Sequence, residues 1–463
     1  MKKTVVVIGA GLAGSLVCNE SVKEANVVLL ELGDKDKVSY PRINFIKKKL
    51  AEVKTFCFGG GGTTNLWHNG LIPINTKDVS SEYFSELLDE VKPYADKAAS
   101  RLFFPNQSYT SEYENVVSDM SRESEKLGVF KEGIDCLLYP KKFQRLEVDA
   151  AVDSYYSVEN IEFESEGKSI AAVTFRSGYE QHRINADAVI ISAGTFGTPR
   201  LIGKVLSVLG VSSKDVGRGL IDHPLGFVGK VKIKKHLART MHKFAMHDKG
   251  DYEYCTAARY KSQCGRYTCF AFFRPALTMT NRLSIYKYKS LLGASSGFER
   301  IKNAFSFKIF HPDIIAEIFS HLFGVTIRSR IFNVLFYFEQ KRGSGQVSYD
   351  GEVLNIDWSI TEEEMKVYND MLEQVSVSMM SVSDEVNIQL PITEQWLWSG
   401  AHHSGTISLG GTADELLDKD LKLRACDNVY VCDGSVIQEN SYANTGLTIG
   451  QLALRLAERV SRP

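Results

Sequence analysis

The run Gly9-Ala10-Gly11-Leu12-Ala13-Gly14 restricts this chain more than any other segment. It follows a β-branched apolar stretch, Thr4–Ile8, that reads as a buried strand, and it opens Leu12–Glu24, which can run as a helix. A second buried strand is expected at Asn26–Leu32. Strand, G-x-G-x-x-G turn, helix and strand together form a βαβ unit of the dinucleotide-binding kind. The first glycine permits the tight turn, the second lets the backbone approach a pyrophosphate, and the third lets helix and strand pack closely. The helix N-terminus offers free N–H groups and a positive partial charge to phosphates. Glu31 closes the second strand, where its carboxylate can accept hydrogen bonds from ribose hydroxyls. The plain alternative is a glycine-rich turn with no ligand. NAD and FAD both fit the fingerprint; its place at residue 9 of a long chain that returns to the fold at its end leans toward FAD.

Length and charge narrow the remaining classes. A chain of 463 residues is expected to divide into two or three lobes. Lys+Arg 55 against Asp+Glu 56 leaves a net charge of −1, which provides no electrostatic footprint for nucleic acid. The eight cysteines are scattered, and Cys255, Cys264 and Cys269 form only a loose cluster without a Cys-x-x-Cys. No metal site is expected, and the cysteines read as the reduced thiols of a cytoplasmic protein. Met1-Lys2-Lys3 ahead of the apolar run Val5–Val17 has the outline of a signal peptide, but the spaced glycines and the following strand assign it to the nucleotide fold. No apolar stretch of about 18 residues suggests a transmembrane helix.

Further along, residues 55–73 are rich in glycine and threonine and read as an irregular loop. Helical spacing appears in Tyr83–Ala95 and Ser111–Leu127. Leu146–Tyr156, Asn160–Ser165 and Ser169–Ser177 read as strands, and Ala186–Ser192 as a buried one. Residues 226–360 hold aromatic and β-branched strands such as Thr268–Phe273, with a helical insert near 297–323. A helix follows at Thr361–Ser381, then a buried strand at Asn428–Cys432 and a last helix at Leu447–Val460. Residues 280–342 carry ten Lys/Arg and four Asp/Glu. Within them Ile314, Ile315, Ile318, Phe319, Leu322 and Phe323 share one helical face. Such a basic amphipathic helix can touch an anionic membrane or receive an anionic substrate; alternatively it packs its apolar face on the substrate lobe.

Several segments, in one order along nearly the whole chain, resemble the glucose–methanol–choline (GMC) family of FAD-dependent alcohol oxidoreductases. Glu31-Leu32-Gly33 resembles the family's E-x-G, and Gly60-Gly61-Gly62-Thr63-Thr64-Asn65-Leu66-Trp67 its flavin-contacting loop. Ile191-Ser192-Ala193-Gly194-Thr195-Phe196-Gly197-Thr198-Pro199 resembles the segment closing the FAD domain. Val216-Gly217-Arg218-Gly219-Leu220-Ile221-Asp222-His223-Pro224 is similar to V-G-x-N-L-x-D-H-P. His402-His403-Ser404-Gly405-Thr406 fits H-x-x-G-T, Tyr430-Val431-Cys432-Asp433-Gly434-Ser435 fits the strand-turn, and Ala443-Asn444 heads the last helix. Residues 76–130 and 230–340 carry little of the resemblance. The family's N-P-T-L-T stands here as Asn444-Thr445-Gly446-Leu447-Thr448, without the proline.

The resemblance implies an α/β protein with a Rossmann-like FAD-binding domain and a separate sheet-plus-helix substrate-binding domain. The former would be discontinuous, from residues 1–75, 130–225 and 391–463. A helical insert, 76–129, would lie near the active site, and 226–390 would bind substrate. The reaction implied is oxidation of a CH–OH group of a sugar, polyol or glycoside-like alcohol, with an electron acceptor as second partner. Histidine suits the base, since its ordinary pKa of about 6.5 lies near working pH. By resemblance that base is His402, with Asn444 bonding the same hydroxyl; His403 is the alternative in register. The FAD contacts implied are Gly9, Gly11, Gly14, Glu31, Gly61, Gly62, Thr63, Thr64, Asn65, Asp433, Gly434, Thr445 and Leu447. His223 reads as a structural residue capping a turn. Some members hold FAD covalently through a histidine before the loop tryptophan; Leu66 stands there, which implies non-covalent FAD, with His68 on the other side of Trp67. Two other readings stay open: a flavin-binding protein without turnover, and an NAD-dependent enzyme on a similar fold.

Overall fold

Thr4–Ile8 is a strand whose Val5, Val6 and Val7 are fully buried, and it forms the middle of a five-stranded parallel sheet. Asn26–Leu30 and then Asp153–Tyr155 lie on one side of it, Ala188–Ile191 and then Val429–Val431 on the other. Strands this uniformly apolar must be covered on both faces, which is how parallel sheets are built. The helices Leu12–Ser21 and Gly446–Ser461 pack against each other on this sheet. The computed structural model describes residues 2–47, 54–105, 108–142, 144–294, 307–323, 327–343 and 345–461.

The second layer is an eight-stranded antiparallel sheet. Its path runs His247–Asp248, Tyr252–Lys261, Thr268–Ala276, Ile331–Tyr337, Pro224–Ile233 and Ser383–Ile388. Ile134–Pro140 pairs with Tyr252–Lys261, and Trp398–Ser399 with Pro224–Leu225. Both segments lie in stretches that the sequence groups with the nucleotide fold, yet their hydrogen bonds go to the antiparallel sheet. The helix Glu362–Met380 buries Tyr368, Met371, Leu372, Val375 and Met379, a spacing that gives one apolar stripe facing the sheet. It starts at a capping box in which Thr361 and Glu364 satisfy each other's backbone N–H groups.

Several elements differ from their expected extents for local reasons. The helix expected at Tyr83–Ala95 runs Glu82–Val91 and gives way to a 3-10 turn, Lys92–Tyr94, where Pro93 cannot donate to the helix. Leu146–Tyr156 is a strand only at Asp153–Tyr155, and Glu180–Asn185, too polar to stand out, is a strand. The insert near 297–323 contains the helix Pro312–Phe323, preceded by Leu283–Ala294; residues 295–306 lie outside the described residues. Ile314 and Ile318 pack toward Ile285 and Tyr288, whereas Ile315 and Phe319 are exposed. The expected single apolar face is therefore divided between a small core and solvent; the side chains of Leu322 and Phe323 lie outside the described residues. Asp313 at the head of this helix is buried against Lys230 of the central antiparallel strand. Among the described residues no helix is long and apolar enough to cross a membrane, and no cluster of three or more His, Cys, Asp or Glu could hold a metal.

Candidate active site

A cavity of about 1990 Å³ lies between the carboxyl ends of the parallel strands and the face of the antiparallel sheet. That is about twice the upper end of ordinary small-ligand pockets, roughly 1,000 Å³, and suits a large cofactor together with a substrate.

The nucleotide end is built on glycine for three separate reasons. Gly9 adopts φ +110°, and a Cβ there would lie 2.4 Å from the Ser192 carbonyl oxygen. A Cβ on Gly14 would sit 1.9 Å from the Gly9 carbonyl oxygen, so helix and strand meet only if it is absent. At Gly11 a Cβ would meet nothing within 4 Å. Gly11 lines the cavity at the head of the helix Leu12–Ser21, so no protein neighbour demands glycine there, while a diphosphate approaching the backbone would.

Glu31 is buried and lines the same cavity. Its carboxylate accepts from the backbone N–H groups of Ala10 (2.7 Å), Gly33 (2.8 Å) and Gly59 (3.0 Å). Burial raises its pKa, and these three bonds counter it only in part. The carboxylate thus ties together the glycine turn, the second strand and the loop at 59–66; a carboxylate offers about four acceptor sites, which leaves room for a ribose hydroxyl.

The loop folds on itself. Gly61 N–H donates to the Ala10 carbonyl (2.9 Å), the Thr64 hydroxyl to the Gly61 carbonyl, and Asn65 Nδ2 to the carbonyls of Gly60 (3.0 Å) and Gly62 (2.8 Å). Gly62, Thr63, Thr64 and Asn65 line the cavity. Gly61, expected at the cofactor, lies one layer behind it, with its N–H already used by Ala10. Gly14 and Leu447 are likewise not on the cavity wall: the first is consumed by helix–strand packing, and the second points into the apolar core.

Asp433 and Gly434 line the cavity from the opposite strand end. The Asp433 carboxylate accepts from Gly194 N–H (2.9 Å), the Thr198 hydroxyl (2.5 Å) and Ser435 N–H (2.8 Å), so it fixes the start of the helix Gly194–Val208. Burial raises its pKa against these bonds. Thr445 lines the cavity just before the helix Gly446–Ser461. A Cβ on Gly446 would lie 2.5 Å from the Trp67 ring, so the residue standing where the family has another pattern is held to glycine by that ring.

Toward the antiparallel sheet, segments far apart in sequence meet. His402, His403 and Asn444 all line the cavity. His402 Nδ1 is 2.9 Å from Nδ1 of His223, and its backbone N–H donates to Asp222 Oδ1 (2.9 Å). His403 turns the other way: its Nε2 is 2.9 Å from the Thr55 hydroxyl, its Nδ1 is 3.0 Å from Asp222 Oδ2, and its ring packs on Phe196. Asn444 Nδ2 donates to the Gly70 carbonyl (3.2 Å). Burial lowers the His402 pKa to about 3, aided by the neighbouring His223, whose own value burial lowers to about 4. Asp222 is fully buried; burial would raise its carboxyl, but the His403 charge and hydrogen bonds from His403 and Ser399 hold it well below the usual range. Asp222 and His223 therefore belong to the site, although the sequence suggested only a turn cap for His223. The visible signal was the Asp-His-Pro run; the contact with His402 spans 179 positions.

One cavity thus joins the glycine turn of the parallel sheet to a histidine-lined chamber against the antiparallel sheet. Residues 342–453 match the family model for GMC oxidoreductases. No curated protein matches the sequence. Among solved structures, pyridoxine 4-oxidase from Mesorbium loti is 15% identical, with 99% of each chain covered and a TM-score of 0.61. An FAD-dependent oxidoreductase from Chaetomium thermophilum is 13% identical, with 98% of each chain covered and a TM-score of 0.59. Aspergillus oryzae formate oxidase is 14% identical over 99% of this chain and 98% of that one, with a TM-score of 0.59. Residues 342–453 therefore resemble the GMC oxidoreductases, and the whole chain shares the fold of these solved structures.

Proposed function

We propose that this enzyme oxidises a CH–OH group of a sugar, polyol or glycoside-like alcohol to the carbonyl, with His402 as base and Asn444 as the second hydroxyl ligand. The observation that carries this reading is that His402 and Asn444 open into the same cavity as Gly11 and Glu31. Bound FAD supplies the acceptor for the hydride leaving the alcohol carbon. His402, held neutral by burial, takes the hydroxyl proton on its ring. Asn444 orients the hydroxyl without titrating, because an amide both donates and accepts. Asp222 holds the His402 backbone, and the Asp222–His403–Thr55 contacts commit His403 to the wall, which favours His402 over His403 as the base. Phe227, Tyr337 and Trp398 on the chamber wall provide flat surfaces for a ring-bearing substrate.

The residues facing FAD would be Gly9, Gly11, Glu31, Gly62, Thr63, Thr64, Asn65, Asp433, Gly434 and Thr445. Leu66, which lines the cavity and offers no nucleophile, supports non-covalent binding; His68, on the other side of Trp67, lines the cavity too. The domain division proposed is a discontinuous FAD-binding part and a substrate part on the antiparallel sheet, with Ile134–Pro140 assigned to the latter by its pairing.

The test is anaerobic bleaching of the flavin by glucose, glycerol and benzyl alcohol. His402→Ala should keep its yellow colour and lose bleaching by about 10²-fold or more. A His402→Ala protein that bleaches as fast as wild type, with His403→Ala inactive, would move the base to His403.

A further inference from the structure

Two imidazole nitrogens share a hydrogen bond only if one carries the hydrogen and the other a lone pair. Nδ1 of His402 and Nδ1 of His223 are 2.9 Å apart, so the two rings must be complementary tautomers. The choice decides what His402 presents to the cavity. With hydrogen on its Nδ1, its Nε2 is bare and can accept a proton. With hydrogen on Nδ1 of His223 instead, Nε2 of His402 is already protonated and cannot act as a base.

The surroundings of His223 favour the first arrangement. Its ring is fully buried, and with Nδ1 facing His402 only Nε2 remains to be satisfied. The Asn440 side chain and the Ser441 backbone lie beside this ring, and both favour a proton on it. Nδ2 of Asn440 is committed to the Ser404 hydroxyl (3.2 Å), which leaves its carbonyl Oδ1 for His223. Nε2 of His223 and Oδ1 of Asn440 are each buried and form no hydrogen bond, a donor and an acceptor left to satisfy one another. An acceptor beside Nε2 favours the hydrogen there, which leaves Nδ1 of His223 bare and makes His402 the donor.

We propose that His223 is a positioning residue that sets the tautomer of His402: by accepting from Nδ1 of His402 it keeps Nε2 free to take the substrate hydroxyl proton. This rests on His402 being the base. The other charged or titratable groups around the pair are Asp222, which accepts from the backbone N–H of both His223 (2.7 Å) and His402, together with His403 and His68. Burial keeps both rings neutral near neutral pH. When the proton moves from the hydroxyl oxygen to Nε2, the His402 cation still donates Nδ1–H to neutral His223. Its charge is then balanced by the Asp222 carboxylate rather than by bulk water.

Nitrogen-15 NMR of the FAD-loaded enzyme labelled at histidine reads the tautomer directly, with His402→Ala and His223→Asn used for assignment. The expected result is His402 protonated on Nδ1 alone and His223 on Nε2 alone; His402 protonated on Nε2 overturns the proposal. A second arm compares His223→Asn with His223→Leu. Both shorten the side chain alike, but only Asn places an acceptor where Nδ1 stood. His223→Asn should retain most of the bleaching rate with the fastest of the three alcohols above, and His223→Leu should fall about 10²-fold below it at every pH where His402 is neutral. Equal loss in both, with His402→Ala inactive, sinks the tautomer role alone. Full bleaching by His402→Ala sinks the base assignment and this inference together.

Discussion

Gly11 and Gly14 belong to one motif, yet they are glycine for different physical reasons. Gly14 is fixed by the protein, since a methyl group would meet the Gly9 carbonyl at 1.9 Å; Gly11 faces open space. The two alanine variants should therefore separate. Gly14→Ala should lower the stability of cofactor-free protein by about 1–3 kcal/mol through overpacking. Gly11→Ala should melt like wild type without FAD but purify colourless. Thermal melts of apoprotein beside flavin absorbance check both, and a Gly11→Ala protein with a full complement of FAD would contradict the diphosphate assignment. At this scale the glycine turn and Glu31 were legible because strand, turn, helix and second strand follow one another without interruption in the chain. Gly61 and Leu447 were expected on the cavity and lie behind it, because which layer a residue occupies depends on packing that a motif does not encode.

Among the elements, the helix Pro312–Phe323 shows how an apolar pattern misleads about an anchor. Its spacing suggested a face held by Ile and Phe, but Ile315 and Phe319 are exposed, and Asp313 supplies a buried tie. Its carboxylate pairs with Lys230 and also accepts from the N–H groups of Leu277 (2.7 Å) and Thr278 (3.1 Å). Lys230 donates further to the Thr278 carbonyl (2.7 Å). Removing one partner leaves a buried charge unbalanced, so Lys230→Met should cost about 3–5 kcal/mol in denaturant unfolding. Adding Asp313→Leu should recover part of that loss; a double variant destabilised by the sum of the two single changes would show that the pair is not coupled. Ile134–Pro140 was not legible as a member of the antiparallel sheet, since the residues of a strand do not name its neighbour.

Across the whole molecule, the cavity takes its walls from both sheets, so FAD should stabilise them together. With free FAD at about 100 times its Kd, linkage adds roughly 2.7 kcal/mol to the folded state. Calorimetry should show the entire unfolding transition moving upward, with the aromatic signal of the antiparallel sheet and the flavin signal changing at one temperature. A shift limited to one part of a split transition would place the cofactor against the parallel sheet alone. The nucleotide unit was readable in the sequence, and His402 and Asn444 as candidates, because local periodicity and short motifs record each of them within a few residues. The union of Asp222, His223, His402 and His403, the strand at Ile134–Pro140 in the second sheet, and the burial that keeps His223 and His402 neutral were decided by tertiary structure alone. These depend on which distant segments exclude water from one another, and no local pattern carries that information.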